Sequence, residues 1–249
     1  MLTLDQVEAY RKHGYVIVPD FINKREVDAY AKEAETLTNH CYEHGDIVAK
    51  WGCVVEPLGC GYLDKHEIPQ AAKTSRAEYL RARAQISSQP TPALCTLDKF
   101  GACARQLLLQ HTDSNTVVLL NEQYVVKPPR AQAEFAWHQD VLYFSGTQRQ
   151  HAIVSVWTPL CDVCTANGTV LIDPFPDPDR PGDYDARILQ RPTVAAEMAA
   201  GSALFMDGRL RHCSTANTTG EFRTVYMPQF SLGQITAGND LAALAVPID

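Results

Sequence analysis

Thr116-Val117-Val118-Leu119-Leu120-Asn121-Glu122-Gln123-Tyr124-Val125-Val126 is the stretch on which the fold turns. β-branched and aromatic residues crowd it and Lys127-Pro128-Pro129 breaks it, so it reads as a strand. Towards the C-terminus the same signature returns at Ile153–Trp157, Thr169–Ile172, Ala203–Met206 and Arg223–Phe230, separated by Pro, Gly, Asn and Asp turns. Short strands at loose spacing, without long helices alternating between them, predict an antiparallel sandwich or jelly roll, not a parallel α/β sheet. The densest turn composition, Asp173–Gly182 (DPFPDPDRPG), is expected to form an exposed loop or lid.

Towards the N-terminus the character is different. Residues 45–110 mix Gly, Pro and Cys with short helical stretches at Arg76–Ala84 and Leu97–Leu109. Before them the chain reads helix, strand, helix. Thr3 and Gln6 have the spacing of a capping box, Leu4, Val7 and Tyr10 recur at helical intervals, and Gly14 stands where a helix would end. Tyr15-Val16-Ile17-Val18 is a short β-prone run, and a second helix is expected from Lys24 to Leu37, with Val27, Tyr30, Ala31 and Ala34 on one face. The expected architecture is mainly β with flanking helices. It is one domain over 1–249, with a helical or irregular part at 1–110 that walls the substrate pocket and a jelly-roll core at 111–235.

Composition bounds the function. The chain has 249 residues, enough for one buried core and short for two full domains. Its 45% hydrophobic and 20% charged residues are globular rather than disordered composition. A net charge of −7 opposes a nucleic-acid or anionic-membrane partner, since both require a basic face. No stretch has the apolar length of a membrane span, Met1–Asp5 lacks a signal peptide's character, and Val246-Pro247-Ile248-Asp249 is no retention or peroxisomal tag. The expected location is cytoplasmic. The eight cysteines are scattered, and Cys161-Asp162-Val163-Cys164, the only Cys-x-x-Cys, has no second pair to complete a zinc site. They read as small buried apolar side chains.

His-x-Asp occurs at His44-Gly45-Asp46, His111-Thr112-Asp113 and His138-Gln139-Asp140. The first breaks at Gly45 near a helix end, and the second runs into a turn. Only the third lies between β-rich runs with a suitable His and Arg far downstream. On a strand, residues i and i+2 share a face, so His138 and Asp140 can grip one ion together. His212 is the candidate third ligand. Two histidines and one carboxylate on one octahedral face form the ligand set of non-haem Fe(II) oxygenases, leaving three positions open for a bidentate 2-oxo acid and dioxygen. Arg223, eleven residues after His212, has a planar guanidinium suited to the distal carboxylate of 2-oxoglutarate.

The chain then resembles the phytanoyl-CoA dioxygenase family of Fe(II)/2-oxoglutarate-dependent oxygenases. The resemblance runs in order through Leu4–Phe21 (LDQVEAYRKHGYVIVPDF), Leu119–Pro129 (LLNEQYVVKPP), Trp137–Phe144 (WHQDVLYF), Trp157-Thr158-Pro159-Leu160, Asn167-Gly168-Thr169 and Gly201–Tyr226, which includes His212, Ser214, Asn217 and Arg223. It implies a double-stranded β-helix with helices packed outside, iron on His138, Asp140 and His212, and the distal carboxylate of 2-oxoglutarate on Arg223 and Ser214. Gln123 and Trp157 match positions that line the co-substrate pocket. The family's Pro-Gly-Ser-His segment is missing, since Thr169–Asp173 runs into Pro174-Phe175-Pro176. Related halogenases replace the carboxylate ligand by a small residue, whereas Asp140 is present here.

The resemblance implies a dioxygenase that consumes 2-oxoglutarate and O2, releases succinate and CO2, and hydroxylates a small molecule. Residues 45–110, Tyr143, Phe144, Arg149, the 173–187 loop and Arg211 are expected around the substrate, whereas Trp51, Tyr62 and Phe100 read first as core. Two other readings remain open: a Zn or Mn jelly-roll hydrolase or isomerase, and a catalytically silent ligand-binding relative.

Overall fold

Residues 1–44, 54–63, 68–87, 91–109, 116–144, 152–176, 193–237 and 240–249 are described by a computed structural model. The helices are α1 (Leu4–His13), α2 (Lys24–Glu43), α3 (Arg76–Ile86), α4 (Thr91–Cys95) and α5 (Gly101–Leu108), with a π-helical turn at Thr96–Phe100 joining the last two. The strands are β1 (Tyr15–Val18), β2 (Val54–Val55), β3 (Val117–Lys127), β4 (Phe135–His138), β5 (Ile153–Pro159), β6 (Val170–Asp173), β7 (Val194–Ala195), β8 (Ala203–Asp207), β9 (Arg211–Ser214), β10 (Arg223–Leu232), β11 (Thr236–Ala237), β12 (Asp240–Leu241) and β13 (Val246–Pro247).

Two antiparallel sheets make the jelly roll. The larger runs β1-β8-β5-β10-β3-β13, with β2 also pairing to β3, and the smaller runs β4-β9-β6-β7. The deciding stretch is therefore the long strand β3, bonded to β10 along one edge and to two short strands, β2 and β13, along the other. Short pieces on an outer edge leave no template for another chain to pair with. The large sheet also recruits β1, from before residue 110, and β13, from after 235.

Local signals placed the first elements. The Thr3–Gln6 capping box forms, and Gly14 ends α1 with a left-handed φ of 78°. Asn23 and Glu26 form a second capping box at the start of α2. That helix continues to Glu43, beyond the expected Leu37, because Thr38 and Cys41 extend its buried face across residues of low helix propensity.

Alternation along the strands divides the interior in two. On β10, Tyr226 and Phe230 turn outward into a core shared with Tyr30, Leu37, Phe100 and Leu107 from the helices. Val225 and Met227 turn inward, joining Trp157, Val170, Ile172 and Leu204. On β3, Glu122 and Tyr124 face the helices, so Asn121, Gln123 and Val125 face the space between the sheets.

The helix-side core holds a buried charge cluster. Arg83 on α3 donates to Glu33 on α2 (2.7 Å) and pairs with Glu122 on β3 (3.0 Å), and all three are nearly inaccessible. Tyr124 donates to Glu33 and Tyr226 to Glu122, both at 2.7 Å. Burial and the nearby Glu33 push the Glu122 carboxyl up, against the pull of Arg83. Arg83→Met would strand two carboxylates in this core. It should cost about 3–5 kcal/mol, read as a lower denaturant midpoint.

Asp173 and Phe175 do not begin an exposed loop: both are buried, and Phe175 packs beside Gly14 and takes a backbone bond to the His13 carbonyl. A phenylalanine amid turn formers is drawn to apolar surface whatever its neighbours prefer. Residues 177–187 of that loop lie outside the described residues, as do Trp51, Arg149, Gly45-Asp46 and His111-Thr112-Asp113. Among the described residues, no helix is long and apolar enough to cross a membrane.

Candidate metal centre

Strand pairing creates the centre. β4 lies antiparallel to β9 with His138 opposite His212, and β6 brackets β9 on its other side. Asp140 opens a 3₁₀ turn directly after β4. Gln139 between them is extended (φ −123°, ψ 132°), so His138 and Asp140 keep the common face expected of an i, i+2 pair. Gln139 points elsewhere, donating to the Arg209 carbonyl at 2.5 Å.

The three side chains are pre-set for metal binding. Each ring's Nδ1 sits against a backbone carbonyl, Ala136 O for His138 (2.7 Å) and Leu210 O for His212 (3.0 Å). A carbonyl can only accept, so Nδ1 carries the proton and, in the neutral ring, Nε2 keeps the lone pair that a metal would take. Those Nε2 atoms lie 3.5 and 3.6 Å from Asp140 Oδ1, and the three ligand atoms are all within 4.8 Å of one another. Ligands about 2.1 Å from a shared first-row ion at mutual right angles stand about 3 Å apart, so a small inward shift closes the site. The donor set fits a 2-His-1-carboxylate metal.

Asp140's other oxygen, Oδ2, is held by the Ser155 hydroxyl and by Gln229 Nε2 (3.1 Å), and these two also bond each other at 3.0 Å. This cradle turns Oδ1 towards the histidines. Burial by itself would raise the Asp140 carboxyl. The His212 and His138 rings and the Ser155 hydroxyl outweigh it, holding the carboxyl down to about 2. Burial pushes His212 below its ordinary value, whereas for His138 the Asp140 carboxylate and Ala136 carbonyl overcome a similar penalty and push it up.

Ser155 and Gln229 escaped the sequence reading. Each is a polar residue buried within a β-rich run, which is tolerated only with a buried partner. Loss of such outer partners typically costs 10–100-fold in metal affinity. Gln229→Leu should therefore weaken Fe(II) or Mn(II) binding by about that factor in a metal titration, with the fold retained.

The ligands open on a cavity of about 350 Å³ between the sheets, and Gln123, Trp157, Ser214 and Arg223 all line it. Arg223 begins β10 and is 1% exposed. Its Nη1 donates to Val125 O (3.1 Å), and its guanidinium lies 5.6 Å from the Trp157 ring. Gln123 reaches Met227 Sδ across β3 and β10. Gly168 occupies a left-handed position (φ 81°) where a Cβ would meet Thr215 O at 2.4 Å, so glycine lets the turn before β6 press against the chain leaving β9.

Of the expected substrate-side residues, Tyr143 and Phe144 line the cavity, and the Tyr143 ring stands 5.3 Å from His138. Arg211 stacks over Trp137 at 5.0 Å and pairs with Asp173 instead. Phe100 is wholly buried in the helix-side core, and Tyr62, half-buried, packs on His40 away from the ligands. A second chamber of about 440 Å³ adjoins the first, sharing Glu56, Asn121, Ala242 and Ala243.

Comparison with known proteins agrees with this picture. The sequence model of the family described as phytanoyl-CoA dioxygenase (PhyH) matches residues 10–225. Phytanoyl-CoA dioxygenase domain-containing protein 1 of Danio rerio is 22% identical over 263 residues, covering 91% of this chain and 89% of its own. Among solved structures, the epimerase SnoN in complex with Fe3+, alpha ketoglutarate (2-oxoglutarate) and nogalamycin RO is 19% identical, with a TM-score of 0.62 and 98% and 94% of the two chains covered. The alpha ketoglutarate-dependent carbocyclase SnoK from nogalamycin biosynthesis is 18% identical, with a TM-score of 0.61 and 94% and 86% covered. These two likenesses carry the fold.

Proposed function

The chain belongs to the phytanoyl-CoA dioxygenase family, and from that premise we propose that it is an Fe(II)- and 2-oxoglutarate-dependent dioxygenase that hydroxylates a small molecule. The observation that carries the reading is a single cavity presenting two imidazole Nε2 atoms, one carboxylate oxygen and a buried guanidinium. His138, Asp140 and His212 would hold the iron. Arg223 and Ser214 would hold the far carboxylate of 2-oxoglutarate, with Gln123 and Trp157 beside it. When bound, iron with 2-oxoglutarate and O2 supplies an oxidant for C–H bonds, and 2-oxoglutarate leaves as succinate and CO2.

The chain's own residues bind, orient and exclude water. Arg223, itself almost wholly buried, would fix the co-substrate by charge-assisted hydrogen bonds. Trp157, Val170 and Met227 supply apolar walls around the reacting centre. Tyr143, two-thirds exposed, stands at the mouth next to His138, where a substrate would pass. Asn121 and Glu56, shared with the second chamber, offer hydrogen bonds to a polar part of the substrate. An acidic chain and a concave, largely apolar pocket favour a small molecule over a polymer.

The Zn or Mn hydrolase alternative gives no task to a buried guanidinium beside the ligands, and a silent relative has no need of an intact donor set. Anaerobic addition of Fe(II) and 2-oxoglutarate tests the reading. A visible metal-to-ligand charge-transfer band supports it. No band, together with Zn-dependent activity lacking any 2-oxoglutarate requirement, overturns it. SnoN is an epimerase and SnoK a carbocyclase on this same fold, so product mass decides the outcome: hydroxylation adds one oxygen atom to the substrate.

A further inference from the structure

Lys127, at the end of β3, is completely buried. Its ammonium donates to Ser214 Oγ at 2.8 Å and to the Thr215 carbonyl, under the ring of Phe135. In the β3–β10 register it stands directly opposite Arg223. Asn217 secures the pairing, since its buried amide donates to Lys127 O (3.1 Å) and Pro128 O (3.0 Å) and so binds the chain after β9 to the end of β3.

An ammonium has donors and no acceptor, so in the Lys127–Ser214 bond the hydroxyl oxygen must accept. The single Ser214 O–H is then left to donate elsewhere, and among the described residues no acceptor takes it. Ser214 lines the cavity with Arg223. A buried O–H and a buried guanidinium lining one cavity make a site for an anion. On the reading proposed above, that anion is the distal carboxylate of 2-oxoglutarate.

We infer that Lys127 is a positioning residue for the co-substrate: by occupying the Ser214 oxygen as donor, it commits the Ser214 hydroxyl to donate into the cavity alongside Arg223. Lys127 acts through Ser214 and needs no contact of its own with the ligand. Its task bears only on an acid with a second carboxylate. A 2-oxo acid without one, such as pyruvate, makes no use of it.

The experiment titrates 2-oxoglutarate and pyruvate separately into the Fe(II)-loaded protein under anaerobic conditions, reading calorimetric affinity. Lys127→Met is expected to weaken 2-oxoglutarate about 10–100-fold, the worth of one hydrogen bond to a charged group, and to leave pyruvate unchanged. Ser214→Ala should weaken 2-oxoglutarate similarly, and the double variant no further than either single one. Equal losses for both acids, an unchanged 2-oxoglutarate affinity, or additive losses in the double variant would overturn the inference. If Lys127→Met does not fold, Ser214→Ala alone decides: full 2-oxoglutarate affinity there removes the residue through which Lys127 is said to act. Failure of the unaltered protein to bind 2-oxoglutarate would instead overturn the functional reading beneath it.

Discussion

Asp140→Ala should abolish the Fe(II)/2-oxoglutarate charge-transfer band and all substrate-coupled succinate release. The change removes one of three ligand atoms and leaves the Ser155 hydroxyl and Gln229 amide around a void where Oδ2 had been. Two imidazoles remain, one ligand and one negative charge short of the donor set of a non-haem Fe(II) site. The loss of metal affinity should exceed the 10–100-fold expected of outer partners such as Gln229. Anaerobic metal titration checks it, and retained Fe(II) affinity with a full band would contradict the assignment.

The same side chain makes a separate prediction for the metal-free protein. A carboxyl held at about 2 in the fold, well below the ordinary aspartate value of 3.8, stabilises the folded state only when ionised. Its contribution of about 2 kcal/mol is fully present above pH 4 and is lost as pH falls through 2. Denaturant midpoints of unaltered protein and Asp140→Ala measured from pH 5 to 2 should converge as the pH drops. A constant gap would show that the carboxylate gains nothing from the histidines.

Arg223→Met carries the second large effect. The guanidinium is fully buried, and methionine keeps much of its volume while removing the charge. Truncating one partner of a buried charged pair costs about 2–5 kcal/mol, or about 30-fold to several-thousand-fold in 2-oxoglutarate affinity. Pyruvate, without a distal carboxylate, should bind about equally well to both proteins. A KM for 2-oxoglutarate unchanged by the substitution would remove Arg223 from the site.

Much of the fold was legible because hydrophobic pattern and turn chemistry agreed. The runs at 153–157, 203–206 and 223–230 became β5, β8 and β10 with boundaries shifted by a residue or two, and Thr3, Gln6 and Gly14 marked α1 at both ends. The strand that carries His212, β9, lies outside the β-rich runs of the sequence. Arg211-His212-Cys213-Ser214 has little β-propensity, and its extended form comes from pairing with β4 and β6 on either side. A segment whose conformation is decided by its neighbours leaves no local trace.

Residue identity alone sets which chemistry is available: a His-x-Asp between β-rich runs, a distant histidine, an arginine eleven residues on, and the β-rich runs that build the sheets. The tertiary structure alone decided how those groups face one another. It placed His138 across from His212, put Ser155 and Gln229 behind Asp140, and set Lys127 beside Ser214 and opposite Arg223. Ligand identity is a property of single residues. Ligand direction, tautomer and hydrogen-bond polarity are properties of pairs brought together by folding, and no one-dimensional pattern encodes them.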